Sequence, residues 1–342
     1  MGMRRWRIWI CSIAIVVGGC ATQSSQPPVR VAQSAAAPVS PASNAAPAPA
    51  WLDELNRLRA TGGLKPVAED ATLTSDCMAH AKYLVEQGPA TDAQFESYRL
   101  SLGLAAHHED PASPHYSAAG VACTTGGEPT PGFSRSNDVA FGRDPIGDLD
   151  GLFYDAPFHR LSLLAPWATV AGYGSYGNFP RRAGTLALRG EGGIGSPLIL
   201  FPTDGSTVPV GKVDSMEVPD PLASCPGYAL PVGLPITIQL GSGYRGRMES
   251  YSVEGPSGAV ETCGFDWLTY RNPDQSTQEA ARKALAMFGA IVLIPRRPLA
   301  AGVYKISVAT GRQTFKWSFT ITGSSEKASL PNVQSSKGAF VF

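Results

Sequence analysis

The chain has 342 residues with 28 basic and 28 acidic side chains, so it carries no formal net charge, and its length predicts about two domains. An apolar share of 43% supports real cores, while 37 Gly and 29 Pro favour loop-rich or β-rich architecture over a helical bundle. No basic run follows residue 10, which removes the electrostatic footprint of a nucleic-acid binder. The one long apolar run, residues 8–18, excludes a polytopic membrane protein.

Arg4, Arg5 and Arg7 precede the apolar stretch Ile8 to Val17, which ends in Gly18-Gly19-Cys20. A basic start, a short apolar run and small residues before a cut predict a secretory signal over residues 1–20, too short for an ordinary spanning helix. Val17-Gly18-Gly19-Cys20 resembles the bacterial lipobox, whose Cys is acylated and becomes the first residue of the mature chain. The resemblance implies a palmitate-type membrane anchor through Cys20. Ala21 is similar to residues that permit export to the outer membrane, facing periplasm or exterior. Residues 21–50 contain ten Ala, six Pro, five Ser and a single charge, Arg30. Such a segment buries too little surface to offset its chain entropy and reads as a disordered tether.

In the first folded region, residues 51–215, Trp51, Leu52, Leu55 and Leu58 recur at helical spacing and Gly62-Gly63 supplies a stop. A second helix starts near Asp70 or Thr72, with Leu73, Cys77, Ala81 and Leu84 on one face. Phe95, Tyr98 and Leu102 predict a short helix over 91–104. Ile146, Leu149, Leu152 and Phe153 predict another, stopped before Pro157. Val170–Gly177, Thr185–Arg189 and Leu198–Phe201 read as strands. The fold class is therefore α+β.

At this point a family resemblance carries information. Asn56-x-x-Arg59, Gly63-Leu64-x-Pro66 and Leu73…Ala79-His80-Ala81 are followed by His107-His108-Glu109-Asp110-Pro111 and Tyr116-x-x-x-Gly120. Then come Ala156-Pro157-Phe158-His159-Arg160-x-x-Leu163-Leu164-x-Pro166 and Val170-x-Gly172-Tyr173-Gly174. This ordered set resembles the CAP superfamily (SCP domains: cysteine-rich secretory, antigen 5 and pathogenesis-related proteins). The resemblance implies a three-layer α-β-α sandwich with a shallow cavity of two His and two acidic residues, which in some members holds a divalent metal such as zinc. Carried onto this chain, the cavity candidates are His107 (His108 being the other register), Glu109, Asp155 and His159. The acidic residue that usually precedes an Ile/Val-Ala pair is here Asn137. That departure weakens a metal set, because a neutral amide is a poor ligand and no general base.

Other titratable groups read as structural: His80 as a packed histidine satisfied by backbone or carboxylate, His115 as solvated, Arg160 as an ion-pair partner. Asp138, Asp144, Asp148 and Asp150 read most simply as helix-start and loop acids. No Gly-x-Ser-x-Gly is present to place a serine nucleophile on a sharp turn.

Val218-Pro219-Asp220-Pro221 reads as a linker into a second domain, residues 216–322. There Ile236–Leu240, Met248–Val253, Ala290–Ile294, Tyr304–Val308 and Phe315–Ile321 predict short strands of a β-sandwich, with a helical insertion over 277–288. Ile294-Pro295-Arg296-Arg297-Pro298-Leu299 followed by Gly302-x-Tyr304 resembles the Ig-like modules of bacterial surface proteins. Residues 323–342 read as a flexible tail whose apolar end, Ala339-Phe340-Val341-Phe342, either docks or frays.

Of the six Cys, Cys11 leaves with the signal and Cys20 is the anchor. Cys77, Cys123, Cys225 and Cys263 allow three pairings in an oxidising compartment. The domain boundary favours Cys77–Cys123 and Cys225–Cys263. No Cys-x-x-Cys points to a zinc ribbon or thioredoxin-like site.

Two function classes follow. One is a non-catalytic, lipid-anchored binding module of the cell envelope, taking a hydrophobic ligand, a wall component or a protein. The other is a metal-dependent hydrolase of envelope peptide or glycan using His107, His159 and Glu109.

Overall fold

The first helix, α1 (Ala50–Thr61), forms where Trp51, Leu52, Leu55 and Leu58 share one buried face, and the Gly62 N–H closes its last turn. The computed structural model describes residues 47–125, 133–142, 144–191, 197–244, 246–311, 313–323 and 339–341. The expected leader, Cys20 and the tether up to residue 46 lie outside the described residues. After β1 (Ala68–Glu69), Asp70 accepts a bond from the Leu73 N–H and opens α2 (Ala71–Glu86). The helices α3 (Asp92–Ser101) and α4 (Ala118–Thr125) follow, then β2 (Phe133–Ala140).

The helix expected to stop before Pro157 does so: α5 (Pro145–Asp150) continues as a π-turn over Gly151–Asp155 and holds Ile146, Leu149, Leu152 and Phe153. Pro157 then starts a further helix that the sequence reading did not anticipate, α6 (Pro157–Leu163). The reason is that Pro has no N–H to lose at a first helical position and its φ is already helical. Two long strands, β3 (Val170–Asn178) and β4 (Arg181–Glu191), then form a hairpin.

The short strands β5 (Ile199–Phe201), β6 (Thr207–Val208), β7 (Lys212–Val213), β8 (Met216–Val218) and β9 (Val232–Gly233) lead into β10 (Ile236–Gln239), β11 (Met248–Gly255), β12 (Gly258–Ala259) and β13 (Thr262–Asp266). The insertion is helical, α7 (Gln275–Phe288), and is followed by β14 (Ala290–Pro295), β15 (Gly302–Thr310), β16 (Thr314–Ile321) and β17 (Ala339–Val341). Alternation is plain in β16, where Trp317, Phe319 and Ile321 are buried.

One sheet has the order β1-β3-β4-β2-β17-β8, a second β13-β14-β10-β5 and a third β12-β11-β15-β16-β6. The expected boundary at 215/216 does not coincide with a break in these sheets. Before it, β5 pairs with β10 and β6 with β16; after it, β8 and β17 join the sheet of β2. Composition marks a linker, whereas strand partners are chosen by long-range pairing, which composition does not report. The same interleaving appears in packing: Phe158 of α6 lies against Phe265 and Tyr270.

The disulfides are Cys77–Cys123, tying α2 to α4, and Cys225–Cys263, tying the turn after Pro221–Ser224 to β13. Close approach of α2 to β3 depends on Gly172 and Gly174, where an added Cβ would overlap the α2 backbone at Leu73–Thr74 and Cys77–Met78. Among the described residues, no helix is long and apolar enough to cross a membrane.

Candidate functional site

The pleat of β2 sorts the candidate residues. Successive strand side chains point to opposite faces, so Asn137 and Asp138 look opposite ways. Val139 lies in one cluster with Ala81, Leu84 and Phe95 of α2 and α3, whereas Ala140 packs with Leu152 and Leu161 on the other side.

On the α2 face, His107 ends a 3₁₀ turn (Gly103–His107) and its Nδ1 lies 2.7 Å from Asn137 Oδ1. Asn137 Nδ2 donates to the Leu186 carbonyl at 3.3 Å, which leaves Oδ1 as the acceptor and puts the His107 proton on Nδ1. Glu109 is buried nearby. Its Oε1 sits 3.0 Å from His80 Nδ1 and its Oε2 accepts from the Ser117 N–H at 2.8 Å. His80 Nε2 contacts the Ala106 carbonyl at 2.8 Å, so that nitrogen must donate, and a proton is also held between Nδ1 and the Glu109 carboxylate. His80 is thus the packed histidine its helical setting suggested. Gly120 is required beside it, because a Cβ there would overlap the Glu109 carboxylate. His108, the other register, is exposed.

The opposite face carries a second buried group. His159 sits in the first turn of α6, and Glu217 of β8 reaches it with Oε2 at 2.8 Å from Nδ1. The same carboxylate accepts from the Phe158 N–H at 3.1 Å and the His159 N–H at 3.4 Å. These are orphan donors of the helix start, and Ala156 at the cap position has no side chain to satisfy them. Glu217 therefore caps α6 from a distant part of the chain. Asp138 accepts from Ser162 Oγ at 2.6 Å and is fully buried. Burial pushes its carboxyl up to about 6, partly opposed by His159 and the Ser162 bond. Burial likewise raises Glu217, against the bonds from His159.

Among the described residues, no acid side chain is hydrogen-bonded or salt-bridged to Arg160, contrary to the ion-pair expectation. Its guanidinium donates to the carbonyls of Phe153, Tyr154 and Pro235 and lies 4.0 Å over the Phe201 ring. Burial lowers it to about 9, with Glu217 and Asp155 acting the other way. Arg59 of the Asn56-x-x-Arg59 motif is also structural, donating to the Leu163 and Ala165 carbonyls at 2.8 and 3.0 Å and holding the end of α6. Among the acids read as loop or helix-start residues, Asp144 does cap α5. Asp148 also lies in the first turn of α5, as expected, and is buried besides, 2.8 Å from Arg182 and 2.5 Å from the Tyr173 hydroxyl. Asp138 differs, lying within β2.

Asp155 lines a cavity of about 220 Å³ with Ser215, Glu217, Asp220, Tyr228 and Leu230. The four cavity candidates are thus distributed rather than joined: His107 with Asn137, Glu109 with His80, His159 with Glu217, and Asp155 on the cavity wall. Among the described residues, no three His, Cys, Asp or Glu side chains converge in a way that could hold a metal ion. The residues present do not fit the shared metal site that the resemblance implies. Sequence reasoning missed Glu217 and the buried role of Asp138. The one available signal for Glu217 was a lone acid between apolar Met216 and Val218.

Residues 52–186 match the model of CAP, the Cysteine-rich secretory protein family, so a CAP-family domain is found over that span. It includes His107, Asn137 and His159 and stops short of Glu217. No curated protein matches this chain. Among solved structures, the copper resistance protein PcoC from Escherichia coli, crystallised as selenomethionine protein, aligns with 36% of this chain and 95% of its own. The identity is 13% and the TM-score 0.20, a likeness too slight to assign fold or ligand.

Proposed function

We propose that this protein is an exported, lipid-anchored CAP-domain protein that serves as a non-catalytic binding module of the cell envelope. On this reading Cys20 is acylated and holds the chain at the outer membrane, and residues 21–50 are a tether. The CAP region is a three-layer α-β-α sandwich, and an Ig-like β-sandwich follows it. The bound class is a hydrophobic ligand, a wall component or a protein. Export is supported by the two disulfides, which persist in oxidising compartments.

The observation that carries the non-catalytic reading is that His107, Glu109 and His159 each pair with a different structural partner. Asn137 fixes His107, His80 fixes Glu109, and Glu217 fixes His159 while capping a helix. A hydrolase through His107, His159 and Glu109 needs these groups at one reacting atom, and β2 separates the first two.

Zinc titration of the full chain beside His107→Ala and His159→Ala tests this. The expected result is no zinc dependence on either imidazole and no metal-stimulated peptide or glycan cleavage. Stoichiometric zinc lost in both variants would refute the reading. Cys20→Ala, expressed in a double-membraned bacterium, is expected to move the protein from the membrane to the soluble fraction.

A further inference from the structure

We propose that the slot between β2 and β8 is a strand-acceptor site, filled by this chain's own β17 and able to take in exchange an extended apolar peptide from a partner. β17 lies antiparallel to β2, with Phe340 opposite Ala140 and Val341 opposite Val139. On its other side it lies parallel to β8, with Phe340 opposite Glu217 and Val341 opposite Val218. In the strand order β2 and β8 meet only through β17, so the three residues Ala339–Val341 close the gap between two strand edges.

One wall of the slot stands without the inserted strand: β2 pairs with β4 along all eight of its residues. The other, β8, has β17 as its strand partner and is anchored besides through Glu217, whose carboxylate is bonded to the Phe158 N–H and to His159. The preformed β2 edge lowers the cost of binding a replacement. The inserted strand is short, so its opening belongs to the low end of the local stability range. Main-chain bonds to both edges supply affinity and direction, as in other strand additions. The seated segment, Ala339-Phe340-Val341, indicates an extended apolar ligand with no Pro, since a Pro inside a strand paired on both sides removes a ladder bond. The slot gives the binding-module reading a ligand class and stands independently of the lipid anchor and of metal binding.

The test uses the full chain, a Phe340→Pro variant and a labelled peptide of residues 336–342. In the wild type the tethered strand competes at an effective concentration on the order of millimolar. The variant is therefore expected to bind the peptide at least ~10-fold more tightly than the wild type. A peptide with Pro at the Phe340 position is expected not to bind. Backbone amides of 139–140 and 216–218 are expected to exchange faster in the variant and to be protected again by the peptide. A folded variant that ignores the peptide, or that binds the Pro peptide equally well, overturns the proposal. Dimerisation that added peptide abolishes would assign the slot to a second copy and overturn the partner reading. Should Phe340→Pro fail to fold, hydrogen exchange on the wild type decides: amides of 339–341 opening before those of β3 and β4 support the slot, and opening only with global unfolding refutes it. Failure here would leave the zinc and Cys20 results untouched.

Discussion

Replacing Glu217 with Ala removes the acceptor for two well-formed bonds, from His159 Nδ1 at 2.8 Å and the Phe158 N–H at 3.1 Å, and a longer one from the His159 N–H at 3.4 Å. Each orphaned buried donor costs about 1–3 kcal/mol. Glu217 also lines the cavity shared with Asp155. Water entering there can satisfy part of what is lost, which favours the lower end of the range. The expected destabilisation is therefore about 2–4 kcal/mol, read as a lower urea midpoint at unchanged slope. Glu217→Gln keeps one carbonyl acceptor and turns an amide N–H₂ towards the other donor, so it is expected to cost about half as much. A loss below about 0.5 kcal/mol for the Ala variant, or a Gln variant worse than Ala, would refute the capping argument.

Three more outcomes follow from the same geometry. Asp138 is pushed by burial from its ordinary 3.8 to about 6, so the folded state holds its proton longer than the unfolded state. Its stabilising contribution is full below pH 4 and is lost as pH rises through about 6, amounting to roughly 3 kcal/mol over that window. Asp138→Asn mimics the protonated form and should gain stability over the wild type at pH 7 relative to pH 4, in paired urea titrations; a pH-independent difference would contradict this. Removing Cys77–Cys123 as the double Ala variant opens a link across 46 positions and is expected to cost about 2–4 kcal/mol by thermal or urea unfolding, with no loss if α4 docks unaided. Gly120→Ala should displace the Glu109 carboxylate and lower stability by about 1–3 kcal/mol, while Gly120→Ala with Glu109→Ala should cost less than the two changes summed.

Local chemistry was legible where a short stretch of chain decides the outcome. The buried faces of α1 and α2, the strands β3 and β4, α7 and the alternation of β16 all follow from neighbouring residues, and so does His80 as a packed histidine. The two disulfides pair as expected, although the boundary that favoured this pairing does not divide the sheets. The ordered motifs also located the CAP region.

Tertiary structure decided what depends on distant partners. Pro157 is read as a stop or a start according to what surrounds it, and here a carboxylate sixty positions later caps the helix it begins. The placement of His107 and His159 on opposite sides of β2 follows from the pleat at Asn137 and Asp138, two adjacent residues whose significance depends on which elements pack on each face. Glu217, β5 and β17 find partners across the boundary that composition marks, because hydrogen-bonded strands and buried charges are satisfied by proximity in space, to which sequence separation is no guide.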